Sequence, residues 1–399
     1  MLQTIKIILL LVTWMFSTIA FADSTATPNI DANIPLVRSA AIKLIQRDAI
    51  PGMAVILYSG GEMHNYYFGE AVPANHTPVT ENTIFELGSI TKTFTGLLLA
   101  ENIVINKMKL NNPAAEYLQI KRIRSFKRVT LLELATHTGS LPFNAPGLHY
   151  DVSDSERHQL QMYHFLQTWT APFSPGSKMV YSNFGYGVLG DVLAESAVTS
   201  LSLLMEQNIL QPLGMDSAGL DVDFDDQKNM AQGFNGNGQP TSYHVSGLLA
   251  GAWAMRASPR DMQAYLKAAL MLPSTPDTIA QAMKIAQTPY YRLADRYGTM
   301  LGLGWEIIPL NQYTMHHLTH EARNTNAMTK PGYKILNPHF VADTLVYKTG
   351  TTDGFRAYIA VIPDKQTGIV ILMNRCVYDR LDMLNMANKL LLQASGLVD

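Results

Sequence analysis

The stretch Phe85-Glu86-Leu87-Gly88-Ser89-Ile90-Thr91-Lys92-Thr93-Phe94 decides how this chain is read. It is a short extended run that breaks at Gly88 and starts a helix with Ser89. Residues three apart share a helical face, so Ser89 and Lys92 stand one above the other. A hydroxyl and an amine so placed are the minimum for a serine activated by an adjacent base. A Ser-x-x-Lys arises roughly once by chance in a chain this long, so its surroundings must carry the reading.

The chain has 399 residues, 47% of them hydrophobic and 16% charged, which is the composition of a globular protein with a sizeable core. Its length suggests about two domains, or one large domain with an insertion. Residues 1–22 have the pattern of a signal peptide: Lys6, an apolar core from Ile7 to Ala20, and the small-x-small site Ala20-Phe21-Ala22, with cleavage after Ala22. Thr13, Ser17 and Thr18 interrupt that core, so it is short for a membrane anchor. No other segment is long and apolar enough to span a bilayer, and a periplasmic location with no membrane attachment is expected. Of 30 basic and 32 acidic residues, one lysine leaves with the leader, giving a formal charge of about −3. Such a balance offers no electrostatic reason to bind nucleic acid or an anionic membrane. The single cysteine, Cys376, follows the apolar run Gly368–Met373 and reads as a packed thiol.

Helical spacing of Val37, Ala40, Ala41, Leu44 and Ile45 predicts a helix over Pro35–Arg47. Met53–Tyr58 and His64–Phe68, joined by Ser59-Gly60-Gly61, predict a hairpin. An apolar helix is expected from Ser89 into Val104, and another over Leu131–Thr136. The middle of the chain carries helical patterns at Glu156–Trp169, Tyr186–Ala197, Leu201–Leu210 and Pro259–Leu270. Three further strands, Leu345–Lys348, Phe355–Ile362 and Ile369–Asn374, are joined by short turns and are therefore antiparallel neighbours. Leu381–Ala394 closes the chain as a helix. The expected architecture is α+β: a five-stranded antiparallel sheet flanked by the first and last helices and interrupted by a helical insertion. The sheet part would cover about 23–85 and 275–399, and the helical part about 86–274.

Two clusters join Ser89 and Lys92. Tyr181-Ser182-Asn183 lies in an extended loop, where Tyr181 and Asn183 point the same way. Lys348-Thr349-Gly350 ends a strand just before a turn. Ser-x-x-Lys, Tyr-x-Asn and Lys-Thr-Gly, in this order on helix, loop and strand, are far more specific than any one of them. With them, the chain resembles the penicillin-recognising serine hydrolases, and most closely the class C β-lactamases. The likeness runs through nearly all of the chain after the leader, including Lys92-Thr93-Phe94-Thr95-Gly96, Gly302-Leu303-Gly304-Trp305-Glu306, and Ile362-Pro363 through Gly368-Ile369-Val370 to Asn374.

The resemblance implies that Ser89 attacks a strained lactam or ester carbonyl and becomes acylated. The backbone N–H groups of Ser89 and Thr351 would hold the oxyanion. Lys92 can act as base only when neutral, which requires its pKa to fall by roughly 3 units, about 4 kcal/mol. Lys348 and partial desolvation both favour that, and the two cations would also lower the pKa of Tyr181, the rival base. By the same likeness, Asn183 and Asn144 would hold the substrate amide, and Asn374 would help to place its carboxylate near Thr349. Thr349, Gly350 and Thr351 would line the site, with Trp253 as an aromatic wall. No cofactor or metal is implied. The expected partner is a small β-lactam and the expected state a monomer.

Four departures from the family pattern stand out. Asn144 replaces a glutamine, Asp353 replaces a glycine, the loop Thr138-Gly139-Ser140-Leu141 is one residue short, and Tyr-Ser-Asn replaces Tyr-Ala-Asn. An acid at position 353 would repel an anionic substrate. These departures bear on deacylation, and they keep open a D-alanyl-D-alanine peptidase or esterase, or a penicillin-binding receptor that does not turn over. His316, His317 and His320 suggest a metal tract, but Asn324 stands where the zinc-protease motif begun by His320-Glu321 needs its second histidine. They are expected in a solvated loop.

Overall fold

The apolar runs that read as strands form the centre of one large antiparallel sheet. The computed structural model describes residues 34–119, 126–148, 155–220, 226–243, 247–320, 329–377 and 381–398. The expected signal peptide, the leader after it, and Glu321 and Asn324 lie outside these. In chain order the strands are β1 (Gly52–Ser59), β2 (Glu62–Val72), β3 (Thr77–Pro78), β4 (Phe85–Glu86), β5 (Lys178–Val180), β6 (Arg256–Ala257) and β7 (Tyr291–Leu293). Then come β8 (Met300–Leu301), β9 (Glu306–Pro309), β10 (Thr329–Lys334), β11 (Thr344–Thr351), β12 (Arg356–Ile362) and β13 (Thr367–Met373).

Among the described residues the sheet has eleven strands in the order β3-β2-β1-β13-β12-β11-β9-β8-β7-β10-β5, and β4 pairs only with β6. The α+β class stands, and the expected count of five is corrected. The five legible strands are its apolar core, while the extra ones are mostly two to four residues long, too short for a period to register. The Tyr181-bearing loop follows β5, at the far end of the sheet from the hairpin.

Period-2 alternation divides the core into two layers. Val55 and Leu57 of β1, Tyr358 and Ala360 of β12, and Ile369 and Ile371 of β13 face the helices Ile34–Asp48 and Leu381–Ala394. Ala54, Ile56, Ile359, Val361, Val370 and Leu372 face the helical body, with Phe94, Leu97 and Leu98 of the helix Thr91–Val104 in the same cluster. That helix is buried from Thr91 through Asn102, so whatever it carries at its first turn is rigidly held. Two smaller expectations change. The three histidines lie on a helix, Gln312–His320, rather than in a loop, with the His316 and His320 rings stacked one turn apart. Cys376 is half-buried.

Candidate active site

Gly88 makes the turn into the Ser89 helix with φ +52°, a conformation that favours glycine. A second reason for glycine is crowding, since a Cβ on Gly88 would lie 2.5 Å from the Thr351 nitrogen and 2.6 Å from its carbonyl oxygen. At Gly350 a Cβ would lie 1.9 Å from the Leu87 carbonyl oxygen. The end of β11 is thus pressed against the Gly88–Ser89 turn.

The register of β11 explains which atoms it presents there. Pairing with β9 stops at Tyr347↔Glu306, so on that side Lys348–Thr351 have no neighbouring strand among the described residues. The Thr352 N–H donates to the Phe355 carbonyl at 3.1 Å, which makes those two a hydrogen-bonded pair. Thr351↔Arg356, the next pair along, is then of the non-hydrogen-bonded kind. Its N–H and C=O point away from β12, to the open edge and toward Ser89. The Thr351 N–H, one of the two expected oxyanion donors, therefore faces the Ser89 turn.

Lys92 follows Ser89 by one turn and is fully buried. Its Nζ lies 3.1 Å from Ser89 Oγ, 2.8 Å from Asn183 Oδ1 and 2.8 Å from the Ala252 carbonyl oxygen. Burial, with the charge of Lys348, lowers its pKa to about 8 against the opposing pull of Tyr181. A neutral amine has two N–H groups and one lone pair. The two carbonyl-type oxygens take the N–H groups, and the lone pair is left for the Ser89 hydroxyl proton. This is the geometry of an activated nucleophile.

Tyr181 stands between the two lysines, with each Nζ 5.0 Å from its ring centroid. Burial raises its pKa, but Lys348 and then Lys92 outweigh this and bring it down to about 8. Lys348, only 3% exposed, is held by Glu306 at 2.9 Å. Burial pulls the Lys348 pKa down, yet Glu306 and Tyr181 together leave it above the usual lysine value. Burial likewise pushes Glu306 up, and Lys348 more than reverses that. The other Glu306 oxygen accepts from the Tyr347 hydroxyl at 2.9 Å.

Asn183 starts the helix Asn183–Ala197, and its Nδ2 donates to the exposed Asn144 Oδ1 at 3.3 Å. The structure thus brings Ser89, Lys92, Tyr181, Lys348, Asn183 and Asn144 together, with Thr349, Gly350 and Thr351 along the open edge. Trp253 is half-buried, one residue past the Ala252 carbonyl that takes Lys92. Asn374 does not join them and is corrected. It is fully buried, its Oδ1 accepts from the Gly52 N–H at 2.7 Å, and its Nδ2 donates to the Glu70 and Ala71 carbonyls at 3.1 and 3.2 Å. Both amide protons are spent on tying β13 to the β1–β2 hairpin, and none is left for a carboxylate.

Two neighbours went unassigned in the sequence reading. Glu306 was visible only as part of Gly302–Glu306. His137 directly precedes the short loop, at φ +60° and 7% exposed. Its carbonyl accepts the Val180 N–H at 2.8 Å, its Nδ1 accepts the Ser182 N–H at 3.1 Å, and its ring packs 4.3 Å from that of Tyr181. Burial, Lys348 and Lys92 all keep this imidazole well below its ordinary pKa, hence neutral. It grips the Tyr181 loop from both sides.

The sequence model of the Beta-lactamase family matches residues 37–393. The chain belongs to the β-lactamase family. Among curated members of that family, a β-lactamase of Pseudomonas fluorescens is 33% identical over 348 residues, covering 85% of this chain and 93% of the relative. One of Escherichia coli (strain K12) is 32% identical over 350 residues, covering 85% and 88%. Solved family structures agree. A class C β-lactamase superposes with a TM-score of 0.81 at 29% identity, over 92% of this chain and 99% of the other. A class C β-lactamase in complex with cefoxitin gives 0.80 at 29%, over 90% and 98%. A β-lactamase/D-alanine carboxypeptidase from Pseudomonas syringae gives 0.79 at 28%, over 90% and 99%.

Proposed function

We propose that this chain is an exported serine β-lactamase of class C type, acting through an acyl-enzyme on Ser89. The observation that carries the reading is Ser89 Oγ at 3.1 Å from a buried Lys92 amine whose other two contacts are acceptors, beside Tyr181 and Lys348. Ser89 Oγ bonds to the lactam carbonyl carbon and gives its proton to the Lys92–Tyr181 pair. Both groups are brought to about 8, so they titrate as a coupled unit. The oxyanion is met by the Ser89 and Thr351 N–H groups, each worth about 3 to 4 kcal/mol to such a transition state. On collapse the C–N bond breaks and the lactam nitrogen takes the proton back. Water, deprotonated by the same pair, then releases the product carboxylic acid and restores Ser89. Asn183 and Asn144 hold the substrate amide, and Trp253 walls the cleft.

The leader-like residues 1–22 support export to the periplasm, and a monomer acting free of the membrane completes the reading. A second reading, a D-alanyl-D-alanine peptidase or esterase that also binds penicillin, is supported by the P. syringae neighbour, described as both β-lactamase and D-alanine carboxypeptidase, and by Tyr-Ser-Asn and Asn144. Incubation of the protein with a cephalosporin, following hydrolysis together with the Ser89 adduct by mass spectrometry, separates the two. Fast turnover that is lost in Ser89→Ala is expected. A long-lived adduct with peptide or ester cleavage favours the second reading, an adduct with no turnover of any substrate indicates a receptor, and no adduct removes all of these.

A further inference from the structure

His316, His317 and His320 take no part in the Ser89 site. The helix that carries them, Gln312–His320, is held at its start by reciprocal bonds: the Asn311 N–H donates to the Thr314 hydroxyl and the Thr314 N–H to Asn311 Oδ1, both at 3.0 Å. Leu318 is buried in the layer under Ile34–Asp48 and Leu381–Ala394, and its carbonyl accepts from Asn388 Nδ2 at 3.3 Å. These contacts fix the helix on the side of the sheet away from the helical body. His316 and His320, four residues apart, share its outer face. Both are exposed, with ring centroids 4.7 Å apart and planes at 19°. His317 turns elsewhere. It is half-buried, and its ring packs edge-on against Tyr313 at 4.3 Å and Tyr297 at 5.9 Å.

Hydrogen bonding decides which nitrogen His320 presents to solvent. Its Nδ1 lies 2.7 Å from the Thr319 hydroxyl oxygen and 3.1 Å from the His316 carbonyl oxygen. A carbonyl only accepts, and the Thr319 hydroxyl proton is taken by the Met315 or the His316 carbonyl, at 3.1 and 3.0 Å. One tautomer satisfies both oxygens, the one with its proton on Nδ1. Nε2 then carries a lone pair on an exposed ring. An imidazole with one nitrogen donating to a carbonyl and a lone pair on the other is the state that ligates a metal ion. Two histidines one helical turn apart also have the spacing at which a helix supplies paired zinc ligands. Nitrogens bound to one tetrahedral zinc lie about 3.3 Å apart for Zn–N bonds of about 2.0 to 2.1 Å, a separation that stacked, exposed rings reach by turning about their side-chain bonds.

We propose that His316 and His320 chelate a divalent transition-metal ion of the kind imidazole prefers, such as Zn²⁺ or Cu²⁺, with water in its remaining positions. No third histidine, cysteine or carboxylate joins them among the described residues. The site is separate from Ser89 and independent of the β-lactamase reading, so it is read by binding and stability rather than by turnover. The probe is ZnCl₂, titrated calorimetrically into the protein without a histidine tag, with MgCl₂ as the oxygen-preferring control. Zn²⁺ should bind and Mg²⁺ should not. His316→Ala and His320→Ala should each weaken Zn²⁺ binding by more than the roughly 10-fold that loss of an outer hydrogen-bonding partner costs. His317→Ala should bind as wild type does. Because the pair is assembled only in the folded helix, Zn²⁺ should raise the urea midpoint of wild type but not that of His320→Ala. Both side chains are exposed, so neither variant removes a core contact, and either one suffices for the test. A wild type that does not bind Zn²⁺ overturns the assignment. So do wild-type affinity in His316→Ala or His320→Ala, and a loss confined to His317→Ala.

Discussion

Replacing Glu306 by glutamine tests whether the charge on Lys348 is what makes Tyr181 acidic. Glutamine keeps an acceptor for the Lys348 ammonium, now 2.9 Å from Oε1, and puts its NH2 in the place of Oε2, where the Tyr347 hydroxyl must turn from donor to acceptor, so the change is mainly one of charge rather than shape. Lys92, a buried lysine in the same site without a carboxylate partner, shows the direction, since its pKa is lowered to about 8. Without Glu306, the Lys348 pKa should likewise fall below the usual lysine value. Removing one partner of a buried ion pair costs roughly 3 to 5 kcal/mol.

The pH at which this is measured matters. Lys348 has a raised folded pKa, so its contribution is fully present below the unfolded value of 10.5 and fades as pH rises through the folded one. Glu306 has a lowered folded pKa, so its contribution holds above 4.5 and fades as pH falls through the folded value. Between pH 6 and 8 both are intact, and the full destabilisation should appear in urea unfolding. Activity follows from Tyr181, which Lys348 and then Lys92 bring down to about 8 against burial. In the variant Lys348 keeps its charge at neutral pH and sheds it as pH rises through its lowered pKa, leaving Lys92 to oppose the burial of Tyr181. If the phenolate carries the proton, kcat/KM for a chromogenic cephalosporin should stay near wild type at pH 7 and fall about 3- to 10-fold below it by pH 9. A Glu306→Gln enzyme with the wild-type pH profile through pH 9 would refute the chain from Glu306 through Lys348 to Tyr181.

Two other substitutions probe the surroundings. His137→Phe keeps a ring against Tyr181 but removes the acceptor of the buried Ser182 N–H, so it should cost about 1 to 3 kcal/mol in urea unfolding. Its kcat/KM should fall about tenfold as the Tyr181 loop loosens, and full activity would show that the loop needs no such grip. Asp191, one turn before Glu195 on the helix Asn183–Ala197, has its pKa raised to about 7 by burial and then by Glu195. For an acid with a raised folded pKa, the stabilisation is fully present below 3.8 and is lost as pH rises through about 7. Asp191→Asn should therefore gain about 1 to 2 kcal/mol over wild type at pH 8, discounted for the partial exposure of Asp191, and about a third of that at pH 5. Equal effects at the two pH values would contradict the reading.

The parts of this molecule that were legible in its sequence are those where local chemistry and global position coincide. Met53–Tyr58, Ala357–Ile362 and Ile369–Met373 are apolar throughout because they lie in the middle of the sheet, and burial on both faces leaves a continuous mark. Ser89, Lys92, Tyr181 and Lys348 were legible because each is fixed by an adjoining backbone feature: a left-handed Gly88, a loop running into a helix, and a strand end with Gly350 against Leu87. The strand β10 hid because Pro331 and Gly332 lie within it, and both residues argue against a strand when met in sequence.

Misplacement of Asn374 has a different cause. A residue's place along a strand can be read from its neighbours, but the direction in which its amide hydrogen bonds are spent depends on the strand beside it. Here the Gly52 N–H of β1 takes the Asn374 oxygen, and the Glu70 and Ala71 carbonyls of β2, one strand further on, take its donors. The same limit concealed Glu306, which meets Lys348 only because β9 and β11 pair Glu306 with Tyr347. It concealed Arg356 as well, since an arginine between a turn and an apolar strand reads as a surface charge until the register places it on Thr351 and 9% exposure removes the surface. In each of the three cases the decisive quantity is a cross-strand register. One slip of that register would turn Arg356 to the opposite face of the sheet, away from Thr351, so its hold on the end of β11 depends on the same alternation that built the core.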